Sequence, residues 1–318
     1  MHPTLHKETV LIRNTTLVLF IIFLPLILPV SVPGICETLE IDETYVVDMG
    51  KTFIVDIDID AAEITVKRNN VSDECHVDIE YNPFKFNPGI EYISRKNRLE
   101  VEIDCENLFG KNDCGDHCEE NGDDDCCCKT GSKIEVVIEL PYSPETEIDA
   151  DIKAGDIEFI LGDLAISSFR LRCLAGATDI TFDMPNRTVC NNFDVHTSIG
   201  ETNLNLLGNG RIQYADINSG IGELNIDFNG VEADGVEARI DLDIGETKIT
   251  VPDDIGVKAR VSRFVLFSNM DCSEGFSKRG KTYYSDNYDT TGEQLILDIT
   301  AGLGELKLKR EDVYFSRN

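Results

Sequence analysis

The phrase SGIGELNIDF at residues 219–228 returns along the second half of the chain as TSIGETNLNL (197–206), LDIGETKITV (242–251) and TAGLGELKLK (300–309). Looser copies are IKAGDIEFIL (152–161) and CLAGATDITF (173–182). The shared glycines are Gly155, Gly176, Gly200, Gly222, Gly245 and Gly304, separated by 21, 24, 22, 23 and 59 residues. Within each copy apolar and polar residues alternate, the period of a half-buried strand. A recurrence of 20–24 residues with one such unit per repeat is the mark of a solenoid, in which each unit buries its apolar face against its neighbours. The expected fold is therefore all-β, a single-stranded β-helix-like solenoid with parallel stacked coils. The inward sets are Ile157/Phe159/Leu161, Thr178/Ile180/Phe182, Thr202/Leu204/Leu206, Leu224/Ile226/Phe228 and Thr247/Ile249/Val251. Glycine at each corner permits a positive φ or a tight bend that a Cβ would block.

The residue after each glycine is usually acidic: Asp156, Glu201, Glu223, Glu246 and Glu305. Stacked ~4.8 Å apart, two carboxylates in water repel by roughly 0.9 kcal/mol before screening. A solvated ladder tolerates that, and Lys248 and Lys307, two places on, offset part of it. The other reading of Glu201, Glu223, Glu246 and Glu305 is a weak cation ladder, since hard cations take oxygen ligands. The GGxGxD nonapeptide of calcium-binding solenoids is absent.

Earlier in the chain, FIVDIDIDAAEITV (53–66), HVDIEY (76–81), RLEVEID (98–104) and KIEVVIEL (133–140) also alternate. Between the last two lies CENLFGKNDCGDHCEENGDDDCCC (105–128), a loop insertion rich in Gly, Asn and Asp. Its Cys105, Cys114, Cys118, Cys126, Cys127 and Cys128 suit a disulfide-stapled loop in an oxidising compartment. A metal site around Cys114, His117 and Cys118 is a second reading, and free thiols a third; six cysteines allow 15 pairings, and the spacing does not choose among them.

At the N-terminus, Lys7 and Arg13 precede an uncharged stretch, TTLVLFIIFLPLILPVSV (15–32). This is the layout of a secretory signal, with cleavage after Gly34, or of a membrane anchor. Lipidation at Cys36 is disfavoured by Ile35, where a small residue belongs. The expected organisation is a signal or anchor (1–36), an N-terminal β-strand region (37–145), solenoid repeats (146–310) and a short tail (311–318). The body is expected outside the membrane, secreted or anchored at the cell surface. There the sequons at Asn70 and Asn186 are candidate glycosylation sites.

Charge excludes one class of partner. The chain has 59 acidic and 29 basic residues, a formal charge of −30. Nucleic acid binding needs a basic face. No HExxH, GxSxG, P-loop or GxGxxG at a strand–helix junction is present. His76 and His196 read as surface residues. Acidic pairs abound, so they are a weak pointer to a carbohydrate-active enzyme, and Trp, the best sugar-stacking residue, is missing. No catalytic residue and no cofactor is expected.

AGDIEFILGDLAISSFRLRCLAGATDITF (154–182) resembles the Gly-Asp-Ile repeats of adhesins with toastrack-type β-strand repeats. VPDDIGVKARV (251–261), YYSDNYD (283–289) and LILDITAGLGELKLK (295–309) are similar to the C-terminal domain of cell-wall-active antibiotic response proteins of the same superfamily. RLEVEI (98–103) and ELPYSPETEIDADIKAGDI (139–157) fit the usual entry into such repeats, so the likeness covers about residues 40–310. It implies a right-handed solenoid outside the membrane, no catalytic residues, and a role in adhesion or envelope binding. The alternative it offers is a sensor or scaffold for a membrane signalling partner. The single hydrophobic segment and the six-cysteine loop depart from the family pattern.

Overall fold

The computed structural model describes residues 38–83, 85–105, 134–231, 235–263, 268–292 and 294–311. Seven long strands form the body: β2 (Phe53–Arg68), β7 (Thr146–Ile160), β8 (Ile166–Thr181), β9 (Cys190–Asn205), β10 (Ile212–Asp227), β11 (Glu237–Pro252) and β16 (Gln294–Glu311). Each pairs in parallel with the next, so successive repeats stack as the coils of a β-solenoid. Each coil bends where pairing skips one residue ahead of the glycine, for example between Ser219 and Ile221 opposite Leu242 and Ile244. A first arm leads into the bend and a second arm leaves it.

The bend is possible because of glycine. Gly155, Gly176, Gly200, Gly222, Gly245 and Gly304 all have φ between 139° and 148°, a region L side chains rarely enter. They also stack directly: a Cβ on Gly176, Gly200, Gly222, Gly245 or Gly304 would lie 1.8 Å from the carbonyl oxygen of the preceding glycine. The corner column is thus backbone against backbone.

The inner faces of the arms share one core. Its centre is aromatic: Phe169 stacks on Phe193 one rung away at 5.2 Å, and Phe159 meets Phe169 edge-on at 5.0 Å. Offset and edge-on pairs of this kind add to simple area burial. The predicted inward residues are buried, with one exception. Leu206 adopts a left-handed conformation (φ 57°) and stays half-exposed, while Leu207 takes the buried place. The chain turns one residue before strict alternation would allow.

The solenoid starts earlier than the repeats suggest. Strand β2 pairs with β7 along almost its whole length, with Ala62 opposite Gly155. The first coil therefore lies at 53–68, within the region expected to precede the repeats. The strands inserted between this coil and the next cap one end. They are β3 (Cys75–Tyr81), β4 (Phe86–Ile93), β5 (Arg98–Cys105) and β6 (Glu135–Leu140), with β1 (Leu39–Tyr45) at the edge. Strand β5 pairs with the first arm of β2 and β6 with the second. At the other end, the 59-residue gap supplies β12 (Gly256–Arg263), β13 (Ser268–Cys272), β14 (Phe276–Arg279) and β15 (Thr282–Ser285). Strand β12 covers the first arm of β16 and β13 the second. The 59-residue spacing and the insertion between β2 and β7 thus supply the two end caps.

Candidate functional site

The stacking that builds the core also builds columns on the outside. The column just past the corner runs Glu63, Asp156, Ala177, Glu201, Glu223, Glu246, Glu305, one residue per rung. The predicted ladder residues Glu201, Glu223, Glu246 and Glu305 occupy four consecutive rungs. Lys307 Nζ donates to Glu246 Oε1 at 2.6 Å and lies 3.2 Å from Glu305 Oε2. These carboxylates, Glu246 first, hold the ammonium pKa above its usual value. Glu201 Oε1 accepts from Asn203 Nδ2 at 3.0 Å, and Asn203 Oδ1 in turn accepts from Asn225 Nδ2 at 2.9 Å. Repulsion along the column is thus offset by an ammonium and by side-chain amides. Among the described residues no three His, Cys, Asp or Glu side chains converge to hold a metal ion. These acids line an axis instead of surrounding a point.

A second charged surface lies on the first arm, which the sequence reading did not single out. Asp56, Asp149, Arg170 and Asp194 occupy successive rungs, and Arg98 reaches Asp56 from β5. Arg170 Nε donates to Asp149 Oδ1 at 2.8 Å, and Arg172 Nε to Asp151 Oδ2 at 3.2 Å. The Arg170 hydrogen bonds hold the Asp149 carboxyl below its usual range, whereas burial pushes Asp56 up despite Arg98. Together with Ser168 and Asn192 they line a depression of about 340 Å³. The clue was present in the spacing, since Asp149, Arg170 and Asp194 follow the same 21- and 24-residue period as the glycines.

The remaining predicted sites divide sharply. Cys114, Cys118, Cys126, Cys127, Cys128 and His117 lie outside the described residues, as do the N-terminal hydrophobic segment and Cys36. Cys105 is described; it is half-exposed, pairs with no other described cysteine, and its backbone N–H donates to Asp60 Oδ2 at 2.9 Å. His196 is exposed, and His76 is half-exposed 3.6 Å from Asp42. Asn70 is exposed, its Oδ1 accepting from Arg68.

Asn186 requires a correction. It is 2% exposed, and its Nδ2 donates to the carbonyls of Ile166, Thr188 and Gly210. A glycan on that nitrogen would occupy the space of three backbone acceptors, so the folded chain leaves only Asn70 as a usable sequon among the two. Expressed through a glycosylating secretory route, the protein should carry sugar at Asn70 and none at Asn186, as read by site-resolved glycopeptide mass spectrometry.

Of the described cysteines, Cys75, Cys173 and Cys190 are buried and Cys105 and Cys272 half-exposed, and no two of them form a disulfide. Burial pushes the Cys75 and Cys190 thiols up to about 12. Because the thiolate is the reactive form, these two should resist alkylation at pH 8 until the chain unfolds, while half-exposed Cys272 labels in the native state. Peptide mapping after timed iodoacetamide treatment checks this; native labelling of Cys190 would contradict the packing described.

Comparison with known proteins finds a family similarity over part of the chain. A family model, described as cell wall-active antibiotics response LiaF, C-terminal, matches residues 208–308. Among curated proteins no relative matches at a significant level. Similar solved structures include a proposed cell adhesion protein from Clostridium sporogenes, 16% identical, covering 86% of this chain and 100% of that one, with a TM-score of 0.41. Another is a proposed adhesin from Bacteroides fragilis, 12% identical, covering 87% of this chain and 100% of that one, with a TM-score of 0.37. The family match runs from the turn before β10, through the β12–β15 cap insertion, to the second arm of β16. Residues 208–308 of this β-solenoid are thus similar to the LiaF-like C-terminal region of cell wall-active antibiotics response proteins.

Proposed function

We propose that this chain is a non-enzymatic, extracytoplasmic, adhesin-like binding module that presents an extended, repetitive, acidic surface to a component of the cell envelope. The observation that carries the reading is the in-register column of Glu201, Glu223, Glu246 and Glu305, one carboxylate per rung on consecutive coils. A surface of this kind recognises by repetition, many weak contacts adding along one axis. A cationic or cation-bridged polymer of the envelope is the matching chemistry. In a sedimentation assay the purified chain should bind native envelope fractions, and replacing the four glutamates by glutamine should weaken binding about tenfold or more. Hydrolysis of a polysaccharide panel, lost on neutralising an acidic pair, would point to an enzyme instead.

A second reading is an extracytoplasmic sensor or scaffold for a membrane signalling partner. The LiaF-like match over 208–308 favours it. It requires membrane retention, so an uncleaved N-terminus by mass spectrometry and a co-purifying membrane protein would support it; a cleaved, freely secreted chain would sink it.

A further inference from the structure

The outermost residue of the corner, immediately before each glycine, forms a column whose steric profile changes halfway along the solenoid. On the first three coils it is Ala61, Ala154 and Ala175, all half-exposed. On the next four it is Ile199, Ile221, Ile244 and Leu303, exposed by 56%, 51%, 44% and 42%. Four large aliphatic residues aligned on consecutive rungs form a ridge ~14 Å long at ~4.8 Å per rung. Isolated exposed aliphatic residues need no explanation, but an aligned set does. Among the described residues the alanine half of the column is a hollow. Ala61 and Ala154 floor a groove of about 240 Å³ with Phe86 among its walls.

We propose that this corner column is the contact surface of an antiparallel two-fold dimer, the ridge of each copy seated in the alanine hollow of the other. Reversing the column about Ile199 places the partner's Ile221 opposite Ala175, the partner's Ile244 opposite Ala154 and the partner's Leu303 opposite Ala61. A large residue then meets a small one at every rung except the central Ile199 pair, which lies on the axis. A parallel dimer would set ridge against ridge and leave the hollows facing each other.

The neighbouring column, one residue earlier, is complementary in the same antiparallel sense. It reads Asp60, Lys153, Leu174, Ser198, Gly220, Asp243 and Gly302, each stacked between the paired rungs. Reversal puts Lys153 opposite the partner's Asp243, and exposed Leu174 opposite the partner's Gly220, where there is no side chain to meet. Lys153 already bonds Asp60 within its own chain, so it sits between two carboxylates in the dimer. Such an interface is isologous, each contact occurring twice. It is also narrow, so the association is weak and reversible by the standard of stable interfaces. The acidic column past the glycine faces its own reversed copy, Glu201 against the partner's Glu201. Salt therefore strengthens this dimer by screening like charges.

Cysteine scanning of the full chain tests the geometry. Ile199→Cys should cross-link to itself under mild oxidation. Ile221→Cys should fail to cross-link alone but succeed when mixed with Ala175→Cys. The new disulfides are identified by peptide mass spectrometry against the parent protein. Sedimentation at about 100 µM, where a weak contact of this size is populated, should show a dimer fraction that rises between 0.05 and 0.5 M NaCl. Ile244→Asp should weaken it about tenfold or more, with an unchanged melting temperature showing that the exposed site leaves the fold intact. Self-linking of Ile221→Cys equal to that of Ile199→Cys would overturn the antiparallel arrangement. A monomer at every salt concentration, with no cross-link at Ile199→Cys, would overturn the dimer.

Discussion

Replacing Gly222 by alanine should cost about 4 kcal/mol or more, at the diagnostic end of single-site effects, and should leave little soluble protein. Two independent causes act together. The φ of 146° is strained for any residue with a Cβ. That Cβ would also lie 1.8 Å from the Gly200 oxygen and 2.8 Å from its carbonyl carbon. The obstacle is backbone, and it cannot swing away as a side-chain tip would. Nor can the coils separate locally, because Gly245 rests on the Gly222 carbonyl in the same manner. Gly292→Ala is the control: among the described residues nothing beyond its chain neighbours lies within 4 Å of the added Cβ, and its melting temperature should stay close to that of the parent. Since stability in a stacked array is a sum of nearest-neighbour terms, damage at Gly222 should separate the coils before it from those after it. Limited proteolysis should then cut near the corner. A Gly222→Ala protein that melts with the parent would show that the corner column is not packed as described.

That column also shows what the sequence could and could not disclose. The glycine period disclosed the coils because the cause is local and repeats: a positive φ and a carbonyl directly beneath. The first coil escaped notice because Ala62 stands at its corner. Neither β5 nor β6 pairs with Ala61 or Ala62; their pairing stops at Ile59 and resumes at Glu63. Among the described residues no strand is paired beneath that corner, so nothing there demands glycine, and the signal disappears with it. Leu206 departs from the inward set for a different reason. Alternation is a rule for extended backbone, and a single left-handed residue shifts its phase by one. The acidic column was legible as a line of residues, but Lys307 bridging Glu246 and Glu305 required knowing that rungs 59 residues apart in sequence are adjacent. The alanine-to-isoleucine switch of the corner was equally present in the letters. It acquires meaning only once the seven rungs are known to be consecutive.

The Asn186 sequon is a three-residue pattern that reads as a surface acceptor, whereas its burial depends on residues 20 and 24 positions away. Its Oδ1 accepts from the Ile166 N–H at 2.8 Å. Its Nδ2 donates to the carbonyls of Ile166, Thr188 and Gly210 at 2.8, 2.9 and 3.1 Å. The side chain thus ties its own loop to the strand before it and to the loop after it. Asn186→Asp keeps the shape and inverts this chemistry, turning an oxygen toward three carbonyl oxygens. At pH 7 the variant should lose about 3–5 kcal/mol, the scale of an uncompensated buried charge. The loss should depend on pH with a definite sign. Burial among carbonyls raises the folded-state pKa of the new carboxyl above its unfolded value near ~3.9. The folded state then binds a proton more readily than the unfolded state. The variant's deficit against the parent is therefore smallest below pH ~4, where both states are protonated and the acid donates one hydrogen bond, and it grows as pH rises toward the folded pKa. Asn186→Ala removes the same amide without adding charge, so its deficit should be nearly independent of pH. Asn70→Asp, at the exposed sequon beside Arg68, should stay within about 0.5 kcal/mol of the parent. Paired thermal melts of the three variants and the parent at pH 4 and pH 7 measure all of this. An Asn186→Asp deficit that does not change between the two values would mean that the side chain does not lie among the three carbonyls.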